Sequence, residues 1–193
     1  MKAATLTQSD LPGQQTYRAD LLETLFNDCF GEQFNTLLVG GKEEPFYRSS
    51  RDGEQAEIHY RHDYFRSALH EVAHWCVAGE ARRQQDDYGY WYAPDGRDAE
   101  QQKAFEQVEV LPQAWELLFC AACGHPFRVS MDNLDNMPTD IAGFEEAVLA
   151  QAQRLTRTVP RGRGWAWVQA MAMAWRRTAG FEQDWIRQVF QRW

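Results

Sequence analysis

Nowhere in the 193 residues is there an uninterrupted apolar run long enough to span a bilayer, which takes about 20 residues. The first residues, MKAATLTQSDLPGQQ, have no apolar core of signal-peptide length. Both absences argue against a membrane protein and predict a cytoplasmic one. Cysteine is scarce as well. The four residues Cys29, Cys76, Cys120 and Cys123 lie in apolar helical contexts, which suits reduced core thiols better than a disulfide framework. Cys120 and Cys123 form a lone CxxC that lacks the second pair of a zinc site. Positive charge is also in short supply, with 20 Lys and Arg against 28 Asp and Glu and a net charge of -8. That balance argues against nucleic acid as a partner, because phosphate binding needs a positive field. The deficit is uneven: residues 141 to 193 carry eight Arg and four acids, so residues 1 to 140 carry a net -12. There are no repeats, low-complexity tracts or linkers, and the chain reads as one domain, with residues 1 to 16 as a loose leader.

What is present in abundance is the aromatic payload of a core: eight Trp, seven Tyr and eleven Phe. Tyr17 to Phe30 has apolar residues at helical spacing, with Gly31 as a stop signal. TLLVGG, EPFYRSS and AEIHYR follow as short extended segments separated by turns, which predicts a small antiparallel sheet. Asp98 and Gln101 form a capping-box pattern that starts a helix running to about Val110, and Pro112 fits the first position of a separate helix, PQAWELLFCAAC. Further helices are expected over Ile141 to about Arg157, Trp165 to about Arg177 and Phe181 to Trp193. The fold class is therefore α+β, mostly helical. Arg154, Arg157, Arg161, Arg163, Arg176 and Arg177 form either a solvated face or a docking surface for an acidic protein.

The stretch around which the rest is organised is SALHEVAHWCVAGEARR, residues 67 to 83. It reads as one helix, with Phe65, Ala68, Leu69, Val72, Trp75 and Cys76 on an apolar stripe and His70 and His74 on the other side. Residues four apart share a helical face, so the two imidazoles can meet one divalent ion, with Glu71 close enough to act on a ligand of that ion. This is an HExxH pattern, and it places the small sheet next to a metal helix. A third ligand is expected on the following helix. Glu109 borders an apolar stripe, where an unpaired carboxylate is costly; Glu106, near Gln102 and Lys103, is the runner-up. His62, at the exit of the last strand, is a candidate for the surroundings of the metal. DDYGYWYAPDGRDAEQ reads either as an aromatic edge hairpin or as a loop over the metal cleft. In the second reading Tyr90, Trp91, Asp95 and Arg97 are candidate substrate-binding residues.

Two imidazoles and a carboxylate serve zinc hydrolases and ferrous oxygenases alike. The residues alone leave open a cytosolic HExxH zinc metallopeptidase, in which Glu71 is the general base, and a non-catalytic helical binding module. SALHEVAHWCVAGEARR, GYWYAPDGRDAEQQKAFEQVEVLPQAWE and GHPFRVSMDNL together resemble the elongation factor P hydroxylase family, over roughly residues 17 to 145. The resemblance implies a non-haem iron hydroxylase acting on the modified lysine of elongation factor P, with Fe(II) as cofactor and dioxygen as co-substrate. It also implies that His70, His74 and a glutamate of FEQVEV hold the metal. No electron donor is named by the sequence. From about Val159 onward the resemblance stops.

Overall fold

The computed structural model of the chain describes residues 17–88, 99–131, 140–158 and 161–176. The first helix, α1 (Ala19–Phe26), buries Leu22 and Phe26 and runs without a break into a π-helical turn, Asn27–Gly31. A last helical piece, α2 (Glu32–Phe34), ends at Asn35, whose φ of 49° is left-handed. The helix therefore continues past the expected stop at Gly31. Asn is one of the few residues besides Gly that adopts this conformation at low cost, and here it ends the segment.

Three strands follow: β1 (Thr36–Lys42), β2 (Phe46–Arg48) and β3 (Ala56–Arg61). They form the small sheet expected beside the metal helix, but it is mixed and not antiparallel. The order is β1-β3-β2, with β1 parallel to β3 and β2 antiparallel to β3. Pairing of the neighbouring strands β1 and β2 is displaced because β3 inserts between them. The alternation along β3 explains the choice: Ala56, Ile58 and Tyr60 are all buried, so this strand gains most from a central position. Gly40 in β1 is required there. A Cβ on it would lie 2.3 Å from the Tyr60 hydroxyl, which donates to Glu23 Oε1 on α1 at 2.8 Å.

The metal helix, α3 (Phe65–Val77), packs on β3 and buries Phe65, Ala68, Leu69, Val72, Ala73 and Trp75. It is shorter than residues 67 to 83 suggest. Ala78 leaves the helix, and Arg82–Gln84 form a separate 3-10 turn. The exposed end of α3 is covered by Arg163, which is thus not part of a solvated arginine face. Its Nη2 donates to the carbonyls of Trp75, Cys76 and Ala78, at 2.9, 3.2 and 2.6 Å, and its guanidinium lies over the Trp75 ring. A cation at this position satisfies orphan carbonyls and complements the helix dipole.

The largest departure from the sequence reading is α4 (Ala99–Cys123), one continuous helix of 25 residues with Pro112 inside it, where two helices were predicted. An interior proline costs roughly 3 kcal/mol. Full burial of an apolar side chain is worth about 1.5–3 kcal/mol, and Trp115, Leu117, Leu118 and Phe119 are all buried just beyond the proline. Packing therefore outweighs propensity. The remaining elements are α5 (Ile141–Arg157), whose N-cap Asp140 accepts from the amide of Gly143 at 2.9 Å, and α6 (Gly162–Met171), which continues as a π-helical turn, Ala172–Arg176. α6 meets α4 at Gly164, where a Cβ would stand 2.8 Å from the Trp115 ring. Among the described residues no helix is long and apolar enough to cross a membrane. Residues 181 to 193, expected to be helical, lie outside the described residues.

Candidate metal centre

α3 and α4 pack against each other, and the site lies between them. On α3, His70 and His74 are one turn apart, with ring centroids 4.6 Å from each other and their Nε2 atoms at 3.0 Å. On α4 the continuity through Pro112 sets Glu109, Gln113 and Glu116 on one face, four and three residues apart. Glu109 Oε1 lies 3.3 Å from His74 Nε2, and its Oε2 lies 3.7 Å from His70 Nε2. Potential ligand atoms of His70, His74 and Glu109 all fall within 4.8 Å of one another. Metal–ligand bonds of about 2.0–2.2 Å place neighbouring ligands about 3.0–3.6 Å apart; the His70–His74 and His74–Glu109 separations, 3.0 and 3.3 Å, fall in that range, and the His70–Glu109 separation, 3.7 Å, is slightly longer. Two neutral nitrogens and one carboxylate oxygen facing a common point suit zinc or ferrous iron.

Around these three residues the carboxylates are the buried partners. The Glu109 side chain is 3% exposed and that of Glu116 1%, against 22% for His70 and 19% for His74. Glu116 Oε2 accepts from His70 Nδ1 at 2.9 Å. Its Oε1 accepts from Arg66 Nη2 and Nε at 2.9 and 3.1 Å, and Arg66 also donates to the Arg128 carbonyl at 2.6 Å. Gln113 plays a parallel part for Glu109. Its Nε2 lies 3.4 Å from Glu109 Oε2 and donates to the Ser130 carbonyl at 2.7 Å, while its Oε1 accepts from the Ser130 amide at 2.9 Å. Both site carboxylates are thus tied, through Arg66 and Gln113, to the strip of chain from Arg128 to Ser130.

The electrostatics fit a site made for a cation. Burial opposes charging His70, but Glu116, then Glu109 and Glu71, more than offset it and push the imidazole up to about 10. Burial likewise opposes ionising Glu109, and the hydrogen bond and charge of His74, followed by the charge of His70, bring the carboxyl down to about 2. A proton can occupy this cluster in the absence of a metal, and a metal would replace it.

Of the other expected residues, Glu106 is half-buried, accepts from Gln102 Nε2 at 3.2 Å and is not part of the ligand cluster. His62 sits at the end of the sheet with a φ of 47°. Its amide bonds the Lys42 carbonyl and its ring stands edge-on to Tyr64, and the cluster does not include it. Glu71 lines a cavity with His74, whose walls include Phe46, Tyr47, Trp75 and Tyr88. Phe46 and Tyr88 are in ring contact at 4.5 Å. Tyr90, Trp91, Asp95 and Arg97 lie outside the described residues. Cys29, Cys76, Cys120 and Cys123 are free thiols, the last two buried within α4.

Sequence reasoning passes over Arg66, Gln113 and Glu116. A signal for Glu116 does exist: it lies seven residues after Glu109, two helical turns on, in the otherwise apolar run AWELLF. Splitting α4 at Pro112 hides that register.

Comparison with known proteins bears on the same residues. A family model described as elongation factor P hydroxylase matches residues 25–185. The chain belongs to this family. A protein of Haemophilus influenzae called elongation factor P lysine hydroxylase is 46% identical over 130 residues, which cover 67% of this chain and 73% of that protein. The family match runs past Val159, well into the C-terminal stretch where the sequence resemblance stops.

Proposed function

We propose that this chain is a non-haem iron hydroxylase that adds one oxygen atom to a modified lysine side chain of elongation factor P. The observation that carries this reading is the cluster of two imidazoles and one carboxylate, His70, His74 and Glu109, in a chain of the elongation factor P hydroxylase family. Zinc would suit the same donors, but adding oxygen to a carbon needs a metal that changes oxidation state, and ferrous iron with open positions is the form such a triad serves. Bound there, iron would supply the activation of dioxygen, with one oxygen atom going to the substrate carbon and the other leaving as water at the expense of two electrons and two protons from an external reductant.

The chain's own residues account for the rest. His70 and His74 bind through Nε2, and the Glu109 carboxylate cancels one of the two positive charges of a ferrous ion from a nearly dry position. The cavity beside His74 gives a long side chain a place to lie, with Phe46, Tyr47 and Tyr88 against its aliphatic part and excluding water. Glu71 shares that wall, so its carboxylate can hold an ammonium group or take up a proton next to the reacting carbon. The net charge of -12 over residues 1 to 140 favours the approach of a cationic side chain. Tyr90, Trp91, Asp95 and Arg97 belong to this reading as substrate-binding residues, and His62 as part of the wider surroundings.

Intact-mass measurement of elongation factor P from cells lacking this protein tests the assignment. The factor should be lighter by one oxygen atom, and the mass should return with the parent gene but not with His74→Ala. An unchanged mass removes the proposal. Elemental analysis of anaerobically purified protein separates the alternatives: zinc together with peptide hydrolysis lost in Glu71→Gln points to a metallopeptidase, and no affinity for either metal points to a binding module.

A further inference from the structure

Among the described residues Glu116 is the most deeply buried charged side chain. Its side chain is 1% exposed in a stretch of α4 where Trp115, Leu117 and Phe119 are buried as well, and an unpaired carboxylate there would be very costly. It stands behind His70, away from the Nε2 that faces His74 and Glu109, and its two oxygens have separate partners. Oε2 takes His70 Nδ1 at 2.9 Å, and Oε1 takes the Arg66 guanidinium at 2.9 and 3.1 Å.

We propose that Glu116 is a positioning residue for the metal centre: it holds the proton of His70 on Nδ1 and so keeps the Nε2 lone pair turned toward the metal, with Arg66 fixing which oxygen does so. The inference rests on the metal-binding reading of His70, His74 and Glu109. Imidazole has one proton to place when neutral, and a carboxylate accepts only, so the nitrogen facing Glu116 must be the donor. Such a partner also orients the ring and raises its basicity as a ligand. Arg66 makes the arrangement directional. Anchored to the Arg128 carbonyl and carrying only donors, it requires an acceptor at the Oε1 position.

This gives the test a readout that a purely structural residue would not move. In Glu116→Gln the amide oxygen must face Arg66, which leaves the amide NH2 against His70 Nδ1. Nδ1 then becomes an acceptor, the proton moves to Nε2, and the metal meets an N–H; an amide substituted for an oriented carboxylate produces the wrong tautomer in this way. The probe is Co(II), followed by its visible absorption in the full chain, with the metal-free fold checked by circular dichroism. Glu116→Gln should weaken Co(II) binding by about 10- to 100-fold and change the spectrum. Arg66→Met combined with Glu116→Gln frees the amide to turn its oxygen to His70, and affinity and spectrum should return most of the way to the parent's.

Parent-like affinity and spectrum in Glu116→Gln would overturn the positioning role, and so would a double variant as weak as the single. If the single variant does not fold, the double variant decides alone, since it removes both charges of the Arg66–Glu116 pair together: recovery of parent-like binding supports the role, and loss overturns it. If the parent itself fails to bind Co(II) through His70, His74 and Glu109, the metal reading falls, and the positioning role falls with it.

Discussion

The two helices that meet at the site contribute opposite things to it. α3 brings imidazoles that remain about one-fifth exposed, and α4 brings carboxylates that are almost completely dry. An imidazole at a partly wet position costs the metal-free protein little, whereas a carboxylate at 3% or 1% exposure needs a cation or a hydrogen-bond donor at all times. The α3 side is therefore the side of approach, and the cavity wall with Glu71 and His74 opens there. The α4 side is the side of electrostatic commitment. It follows that equally damaging changes to metal binding on the two helices should differ in what they do to the metal-free fold.

His74→Ala and Glu109→Gln test this most severely. Each removes a ligand, so each should weaken metal binding beyond the roughly 10- to 100-fold that changes behind the ligands produce. Their effects on the metal-free protein should diverge. His74→Ala leaves the buried Glu109 carboxylate without its nearest side-chain partner, at 3.3 Å, a loss of about 3 kcal/mol for a buried charged group. Glu109→Gln removes the charge itself and keeps the size, at a cost of about 1 kcal/mol. At about 2–4 °C per kcal/mol for a chain of this size, melting curves should place His74→Ala roughly 4–8 °C below Glu109→Gln. Equal melting temperatures would mean that Glu109 does not depend on His74 for its charge.

A proton and a metal compete for the same cluster, which gives the comparison a pH axis. His70 is raised to about 10, so in the metal-free protein its interactions are fully present below its ordinary value of 6.5 and are lost as the pH rises through about 10. Glu109 is depressed to about 2, so its contribution is present above its ordinary 4.5 and lost as the pH falls through about 2. Metal-free stability from this cluster is therefore greatest between about pH 4.5 and 6.5. Metal affinity runs the other way, because the ion must displace the proton on His70. It should strengthen by up to about tenfold per pH unit from 6.5 toward 9, where an ordinary histidine site would already have levelled off. Titration with Co(II) in a series of buffers measures the slope, and a flat profile above pH 7 would show that His70 is already neutral there.

The same contrast explains what was legible in the sequence. α3 announced itself because His70 and His74 follow a short-range rule, with a spacing of four on an amphipathic helix bounded by a strand. Glu109 was reachable by asking what a carboxylate does on an apolar border. Glu116, Arg66 and Gln113 were not, because their roles depend on α4 continuing through Pro112 and on contacts with residues 46 to 62 positions away, or with the strip from Arg128 to Ser130. The three strands could be read from their own alternation, but their order could not. β3 is central because of what it packs against, and no local turn signal records that. Likewise the end of α3 is set by Arg163, 85 positions from the carbonyl of Ala78.

A change that touches only the support of Glu109 should be milder than the loss of a ligand. Gln113→Leu keeps the bulk but removes the amide that lies 3.4 Å from Glu109 Oε2 and clamps Ser130. Metal affinity should fall by about tenfold. Fluorescence titration with a competing chelator would resolve this, and an unchanged affinity would assign Gln113 to holding the chain at Ser130 alone.

Glu106 supplies the smallest effect and the sharpest control, because it has the same charge as Glu109, on the same helix and three residues away. Its carboxylate is half-buried and accepts from Gln102 Nε2 at 3.2 Å, so water and an amide already satisfy it. It lies on the same side of α4 but one turn nearer the start of the helix, about 4.5 Å along the axis from Glu109, so axial displacement and its own bond to Gln102 are what keep it out of the cluster. Glu106→Gln keeps size, and its amide oxygen can still accept from Gln102. Metal affinity should stay within about twofold of the parent and the melting temperature within about 1 °C, as for a surface change away from any buried pair. If Glu106→Gln lost the metal while Glu109→Gln kept it, the carboxylate ligand would be the wetter of the two glutamates. The division between an approachable α3 side and a dry α4 side would then fail at its central residue.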